Sequence, residues 1–164
     1  MTFAEIKDLL ITKFGTEVII GEEVGMLQPA LVIAPEKIAD VCRELRDNPL
    51  TYFDFLSLIS GVDHIDAGSF GVVYNLASIP YQTQLTLKIS KEHGRDVNDL
   101  PTFVSLTDVY KTADWHERET YDLMGIYFEG HPDLRRILLP DDWEGFPMRK
   151  DYQNAEYYKG IKID

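Results

Sequence analysis

Thr83-Gln84-Leu85-Thr86-Leu87-Lys88-Ile89 sets Leu85, Leu87 and Ile89 in alternation with Gln84, Thr86 and Lys88. Successive side chains of a strand point to opposite faces, so this pattern predicts a sheet with one buried and one wet face. Such alternation favours antiparallel pairing, and the runs before it supply partners. Thr51 to Ser60 and Phe70 to Ser78 are rich in β-forming residues. The turn candidates Gly61 to Gly68 and Ile79 to Gln82 are short enough for successive hairpins. Further upstream, Glu17 to Ile20 and Ala30 to Ile33 flank a loop with Gly21, Gly25 and Pro29, the outline of a long-looped hairpin.

Helices fill the remaining periodic stretches. Phe3, Ile6, Leu9, Leu10 and Phe14 recur at helical spacing and stop at Gly15. Pro35 opens a second helix through about Leu45, with Ile38, Val41, Cys42 and Leu45 on its apolar face. Lys91 to Pro101 is polar and reads as a loop. The expected architecture is α+β: a mainly antiparallel sheet of about five strands with helices packed on one face, plus an extended C-terminal segment. Residues 1–125 form the α+β domain and residues 126–164 the extended docking segment.

The chain has 164 residues, 45% of them apolar, enough for one sizeable core. Twenty-eight acidic and 16 basic residues leave a formal net charge of minus 12, which argues against a phosphate-binding surface and so against nucleic acid. Apolar runs such as Leu56 to Ile59 fall far short of the roughly 18 to 20 residues that span a bilayer. The N-terminus has neither the basic and apolar regions of a secretory signal nor the character of a transit peptide, so a cytoplasmic bacterial location is expected. Cys42 is the sole cysteine. It can form neither an internal disulfide nor an iron-sulfur site, which needs about four thiolates, and a buried structural role fits it best.

From Thr107 the chain reads TDVYKTADWHERETYDLMGIYFEGHPDLRRILLPDDWEGFPMRKDY. A helix over Ala113 to Met124 is predicted, with Asp114 or Thr112 as cap and Gly125 at its end. At about 100° per residue, Ala113, Glu117, Tyr121 and Met124 share one side, while Trp115, Arg118, Glu119 and Asp122 gather on another. The helix has no clean wet face. Either these charges are an ordinary solvated surface, or more than one side of the helix is covered. In the second case Arg118 can reach Asp114 and Asp122, and Glu117 needs a donor from elsewhere, such as Arg135, Arg136 or Arg149.

These residues carry a resemblance. Glu117, Arg118, Glu119, Asp122, Leu123, Met124, His131, Arg135, Ile137 and Leu138 meet every constrained position of the signature of the NADH-quinone oxidoreductase 30 kDa subunit, a family of respiratory complex I also called its C subunit. The resemblance continues in Ser105-Leu106-Thr107-Asp108 before the helix and in Trp143-Glu144-Gly145, Pro147 and Arg149-Lys150-Asp151-Tyr152 after it. It covers the last third strongly and the first hundred residues in layout only. It implies a subunit without a redox centre, in the hydrophilic arm, packed against the quinone-site subunit and the subunit with two tetranuclear iron-sulfur clusters. Iron-sulfur clusters, FMN and quinone would belong to those partners, and membrane association would come through the complex. The structural and interface set that follows is Trp115, Glu117, Arg118, Glu119, Asp122, Gly125, His131, Arg135, Arg136, Trp143, Gly145, Pro147, Arg149, Lys150 and Asp151. An equivalent subunit of a membrane-bound nickel-iron hydrogenase, a formate hydrogenlyase or a ferredoxin-dependent dehydrogenase is the alternative.

The residues themselves suit such a role. Arg135, Arg136, Arg149 and Lys150 concentrate basic charge in an acidic chain, with Trp143, Phe146 and Tyr152 between them. Either this segment lies across a neighbour as an aromatic and arginine-anchored interface, or it folds back on its own domain. No catalytic, cofactor or metal residues are predicted. His116-Glu117 lacks the second histidine of His-Glu-x-x-His, because position 120 is Thr. His131 has no spaced partner that completes a metal set, and Glu117 and Glu119 diverge by about 200° around the helix. Neither a dinucleotide glycine fingerprint nor a phosphate-binding P-loop occurs.

Overall fold

The computed structural model describes residues 1–25, 28–154 and 156–162. Helix α1 (Phe3–Phe14) starts in a reciprocal cap: the Thr2 hydroxyl accepts from the Glu5 amide and the Glu5 carboxylate accepts from the Thr2 amide. Its Ile6 and Leu10 face the core. After a short 3-10 turn come strands β1 (Ile19–Glu23) and β2 (Ala30–Ile33), paired antiparallel. The first strand therefore lies later than the expected run from Glu17 and includes Gly21. Another 3-10 turn at Pro35–Lys37 leads into α2 (Ile38–Asp47), which buries Ile38, Val41, Cys42 and Leu45 as its spacing demands.

Three ten-residue strands follow, β3 (Phe55–His64), β4 (Ser69–Ser78) and β5 (Thr83–Glu92). The sheet order is β1-β2-β5-β4-β3. All neighbours are antiparallel except β2 and β5, which run parallel, so the sheet is mixed at that one junction. Leu85, Leu87 and Ile89 join Phe70, Val72, Tyr74 and Leu76 in the core with the apolar faces of α1 and α2, while Asn75 and Lys88 on the other face stay partly exposed. The α+β class with helices on one face is thus observed.

The third run starts and ends four residues later than expected. Thr51 to Phe53 close α2, with the Thr51 hydroxyl and the Phe53 amide both donating to the Leu45 carbonyl. At the other end Gly61 is strand, not turn. A Cβ there would lie 2.7 Å from Met124 Sδ and 2.8 Å from Thr120 Cγ2. The glycine lets the helix over Ala113–Met124, α3, approach the sheet closely. The real turn is the 3-10 segment Ile65–Ala67, closed by Gly68.

Helix α3 runs along the outer edge of β3. His116 Nδ1 accepts from the Ile59 amide at 3.0 Å, and the Thr112 hydroxyl donates to the Leu56 carbonyl at 3.1 Å. Thr112 is the N-cap residue but caps no amide with its side chain. Strands β6 (Thr102–Val104) and β7 (Tyr127–Glu129) flank α3 in sequence and pair parallel with each other. Ile126 and Phe128 are fully buried, so the boundary expected after residue 125 passes through the core. A short hairpin, β8 (Tyr157–Tyr158) and β9 (Ile161–Lys162), lies near the end of the chain. Among the described residues no helix is long and apolar enough to cross a membrane.

Candidate functional site

Glu117 and Asp122 are both fully buried, on different sides of α3, and the chain treats them in opposite ways. Glu117 Oε1 accepts from the Leu106 amide and Oε2 lies 2.7 Å from the Ser105 hydroxyl, which in turn meets the Thr107 hydroxyl at 2.9 Å. Among the described residues no arginine reaches it, contrary to the expectation of Arg135, Arg136 or Arg149 as its donor. Burial drives its pKa up to about 7; the Leu106 amide and the Ser105 hydroxyl pull against that rise, and Asp114 adds to it. A carboxyl that can keep its proton in neutral solution needs no cation to be buried.

Asp122 is held as an anion. Its Oδ2 accepts from the amides of Ile137, Leu138 and Leu139 at 3.0, 2.7 and 2.9 Å, and its Oδ1 takes Arg136 Nη1 at 2.8 Å. Burial alone would raise this carboxyl, but the three amides and the guanidinium together hold it below the ordinary aspartate value. Arg136, not Arg118, is therefore the partner of Asp122. Arg136 also donates to the Trp143 and Gly145 carbonyls, which folds residues 136–145 against the helix.

Arg118 lies over the exposed Trp115 ring at 5.0 Å, with its Nη1 3.9 Å from Asp114 Oδ1 and its Nε 3.5 Å from the Arg135 carbonyl. Arg135 itself points outward and pairs with Asp133 at 3.0 Å. His131 has no exposed side-chain surface. Its Nδ1 accepts from the Asp133 amide at 3.0 Å, which leaves the proton on Nε2, 3.1 Å from the Asp114 carbonyl. The ring works as a bracket between loop and helix.

Arg149 is buried as fully as Arg118. Its Nε and Nη2 donate to the Met124 and Gly125 carbonyls, and its guanidinium is 4.9 Å from the Phe70 ring centre and 4.7 Å from that of Phe146. Gly125 takes the left-handed conformation at φ 65°, where a Cβ would fall 2.5 Å from the Phe146 ring. Beside it Asp63, near the end of β3, binds Arg95 through both oxygens and accepts from the Lys150 amide at 2.8 Å. Arg95 reaches on to Asp151 at 2.7 Å. Pro147 is half-buried in this wrap, and Glu119 is exposed. Met148 closes it, its amide donating to the Leu123 carbonyl.

Arg95, Gly145, Phe146, Arg149 and Asp151 line one cavity of about 210 Å³, which Glu117, Asp122 and His131 do not line. Among the described residues there is no group of three or more histidine, cysteine, aspartate or glutamate side chains placed to hold a metal ion.

Residues 31–158 match the family model described as respiratory-chain NADH dehydrogenase, 30 Kd subunit. The chain belongs to that family. The C subunit of the NADH-quinone oxidoreductase of Salinispora tropica is 48% identical over 140 residues, covering 81% of this chain and 54% of the relative. That of Chlorobium phaeobacteroides is 38% identical over 159 residues, covering 95% of this chain and 92% of the relative. The chain thus spans about half the length of the Salinispora tropica relative and nearly all of the Chlorobium one. In structure it resembles a chain of the membrane-bound sulfane sulfur reductase, an archaeal respiratory membrane complex, with a TM-score of 0.73 at 25% identity over 92% of this chain and 85% of that one.

Within the 30 kDa subunit family signature, Arg118 keeps the expected neighbour Asp114, while Glu117 and Asp122 take other partners than expected. Ser105 has no expected role in its resembling stretch, yet it holds Glu117; Asp63, Phe70 and Arg95 carry no signal of their own in the sequence. Asp63 falls two residues beyond Gly61 on the inward face of β3, a position legible only once Gly61 is known to be strand. Of the two courses open to the C-terminal wrap, Phe146 and Arg149 take the second: they are buried on their own domain.

Proposed function

We propose that this chain is the 30 kDa subunit of an NADH-quinone oxidoreductase, a structural and assembly part of the peripheral arm on the cytoplasmic side of the membrane. It holds no flavin, iron-sulfur cluster or quinone, and it supports the quinone-site subunit and the two-cluster ferredoxin-like subunit, which carry the chemistry. The observation that carries this reading is the fate of the buried signature charges. Glu117, Asp122, Arg136 and Arg149 are all satisfied by groups of the same chain, so they shape a rigid element and leave no acid, base or nucleophile aimed at a substrate. Among the residues that the wrap around α3 leaves to solvent are three large apolar side chains: Trp115, Leu138 and Met148 are 63, 60 and 61% exposed. Large exposed apolar side chains and stacked arginine are the materials of protein interfaces.

The likeness to a chain of the archaeal sulfane sulfur reductase complex supports a second reading, the equivalent subunit of a related membrane-bound machine. Affinity purification of the tagged chain from gently solubilised membranes separates the two. Flavin, iron-sulfur proteins and quinone-dependent NADH oxidation are expected in the eluate. Hydrogenase or sulfur-reducing activity without NADH oxidation would move the assignment to the second reading. An isolated monomer would overturn both.

A further inference from the structure

The C-terminal hairpin closes over Trp143. Lys159 and Gly160 form its turn with φ of 50° and 79°, and Tyr158 packs on Trp143 with ring centres 5.4 Å apart. The Tyr158 hydroxyl donates to Asp142 Oδ1 at 3.0 Å. Between hairpin and loop lies a cleft of about 310 Å³ lined by the aromatic rings of Trp143, Tyr152, Tyr157 and Tyr158 and by Asp142, Glu144 and Lys159. Gly145 makes room for one wall: a Cβ there would be 3.1 Å from the Tyr152 ring.

Aromatic walls with carboxylates at the mouth are the chemistry that binds an organic cation, through ring faces and charge together. The chain supplies its own small example. Lys159 Nζ stands 5.3 Å from the Tyr158 ring centre and 3.5 Å from Asp142 Oδ2. Both partners of that contact are more than half exposed, so it is a rim contact, and Glu144 has no ion pair among the described residues. A planar guanidinium suits the cleft better than an ammonium, because it stacks on rings and forks a carboxylate at once. The volume matches one long side chain with its adjoining backbone. Anionic lipid would be repelled by the same rim in a chain of net charge minus 12.

We propose that this cleft receives an arginine side chain presented by a neighbouring polypeptide, with Trp143, Tyr152 and Tyr157 as walls and Asp142 and Glu144 as counter-charges. The assembly reading enters only as the source of that neighbour; the cleft can be tested without it.

The test uses the full chain carrying Trp115→Phe, so that Trp143 is the only indole. Acetyl-Gly-Arg-Gly-amide is titrated against its citrulline counterpart, a neutral isostere, with Trp143 emission as readout. The expected result is a saturable change for the arginine peptide and binding at least fivefold weaker for citrulline. That change should disappear in the Asp142→Asn, Glu144→Gln double variant and in Tyr157→Ala. These positions are exposed, and an unchanged thermal midpoint will confirm that the variants fold. Equal response to arginine and citrulline, survival of binding in the double variant, or stronger binding to phosphatidylcholine vesicles than to the peptide would each overturn the proposal. In purified complex, a photo-cross-linker at position 157 should capture an arginine-containing peptide of another subunit. Capture of lipid alone, in a preparation that retains flavin and iron, would overturn the cleft proposal while leaving the assembly reading intact.

Discussion

Arg149 Nε donates to the carbonyl of Met124 at 2.8 Å, tying the last residue of α3 to a guanidinium 25 positions further along the chain. Helix C-termini leave carbonyls without intrahelical partners, and here a cation satisfies two neighbouring carbonyls at once. Arg149→Ala should lower the unfolding free energy of the isolated chain by about 2–4 kcal/mol, from lost charged hydrogen bonds and ring contacts. Lysine at this position should recover less than half of that, since it cannot fork two carbonyls. A denaturant midpoint unchanged in both variants would refute this account of the C-terminal wrap.

Gly125→Ala places a Cβ in a left-handed residue and into the Phe146 ring. The combined cost should be about 2–4 kcal/mol. Pairing it with Phe146→Leu should return part of that loss, because the two positions share one volume. Strict additivity in the double-mutant cycle would show that the ring is not the obstacle.

Asp122→Asn breaks a buried pair and leaves Arg136 without its counter-ion, a loss of about 3–5 kcal/mol. The depressed carboxyl stabilises the fold above the unfolded pKa of about 4 and stops doing so as pH falls through its lower folded value. The difference in stability between wild type and Asp122→Asn should therefore be constant near neutrality and shrink on acidification. Urea titrations at pH 7 and pH 3 measure it.

Glu117 has the opposite sign. Its folded pKa is raised from 4.5 to about 7, so the folded chain holds a proton that the unfolded chain has released between those values. Its contribution is complete below pH 4.5 and is lost as pH rises through about 7, amounting to on the order of 3 kcal/mol. Glu117→Gln keeps an acceptor for Leu106 and a donor for Ser105, and it should be more stable than wild type at pH 8 and similar at pH 5. A wild-type advantage at pH 8 would show that the ionised form is the one the fold prefers.

Cys42 is buried without exposed surface, and burial pushes its thiol well above the ordinary range. A thiol reagent should label the native chain only at the rate of its opening, and labelling should follow global unfolding. Rapid stoichiometric labelling in native buffer would contradict the packing of α2.

The strand pattern was legible where one residue type recurs with the period of the element. Leu85, Leu87 and Ile89 announce β5, and Ile38, Val41, Cys42 and Leu45 announce α2, because burial acts on each side chain separately. What stayed hidden depends on pairs. Nothing local in Ala30 to Ile33 says that its neighbour is β5 and parallel, since register and direction are settled by partners far away in sequence. Gly61 reads as a turn signal until the approach of Thr120 and Met124 is known. Helical spacing alone neither sets the depth of Glu117 and Asp122 nor names their partners: Glu117 found a hydroxyl and an amide in residues 105–106, and Asp122 found three consecutive amides beside Arg136. A search for opposite charges overlooks backbone donors.

The contact of α3 with the edge of β3 also bears on how the sheet is kept from pairing with another strand. A ten-residue strand with bare amides invites a second copy to zip alongside. Here His116 occupies the Ile59 amide and Thr112 the Leu56 carbonyl, so the long border is stoppered by the same helix that carries the family signature. The opposite border, β1, is short and bears Glu22 and Glu23. Both borders of the sheet thus carry features that oppose the addition of a further strand.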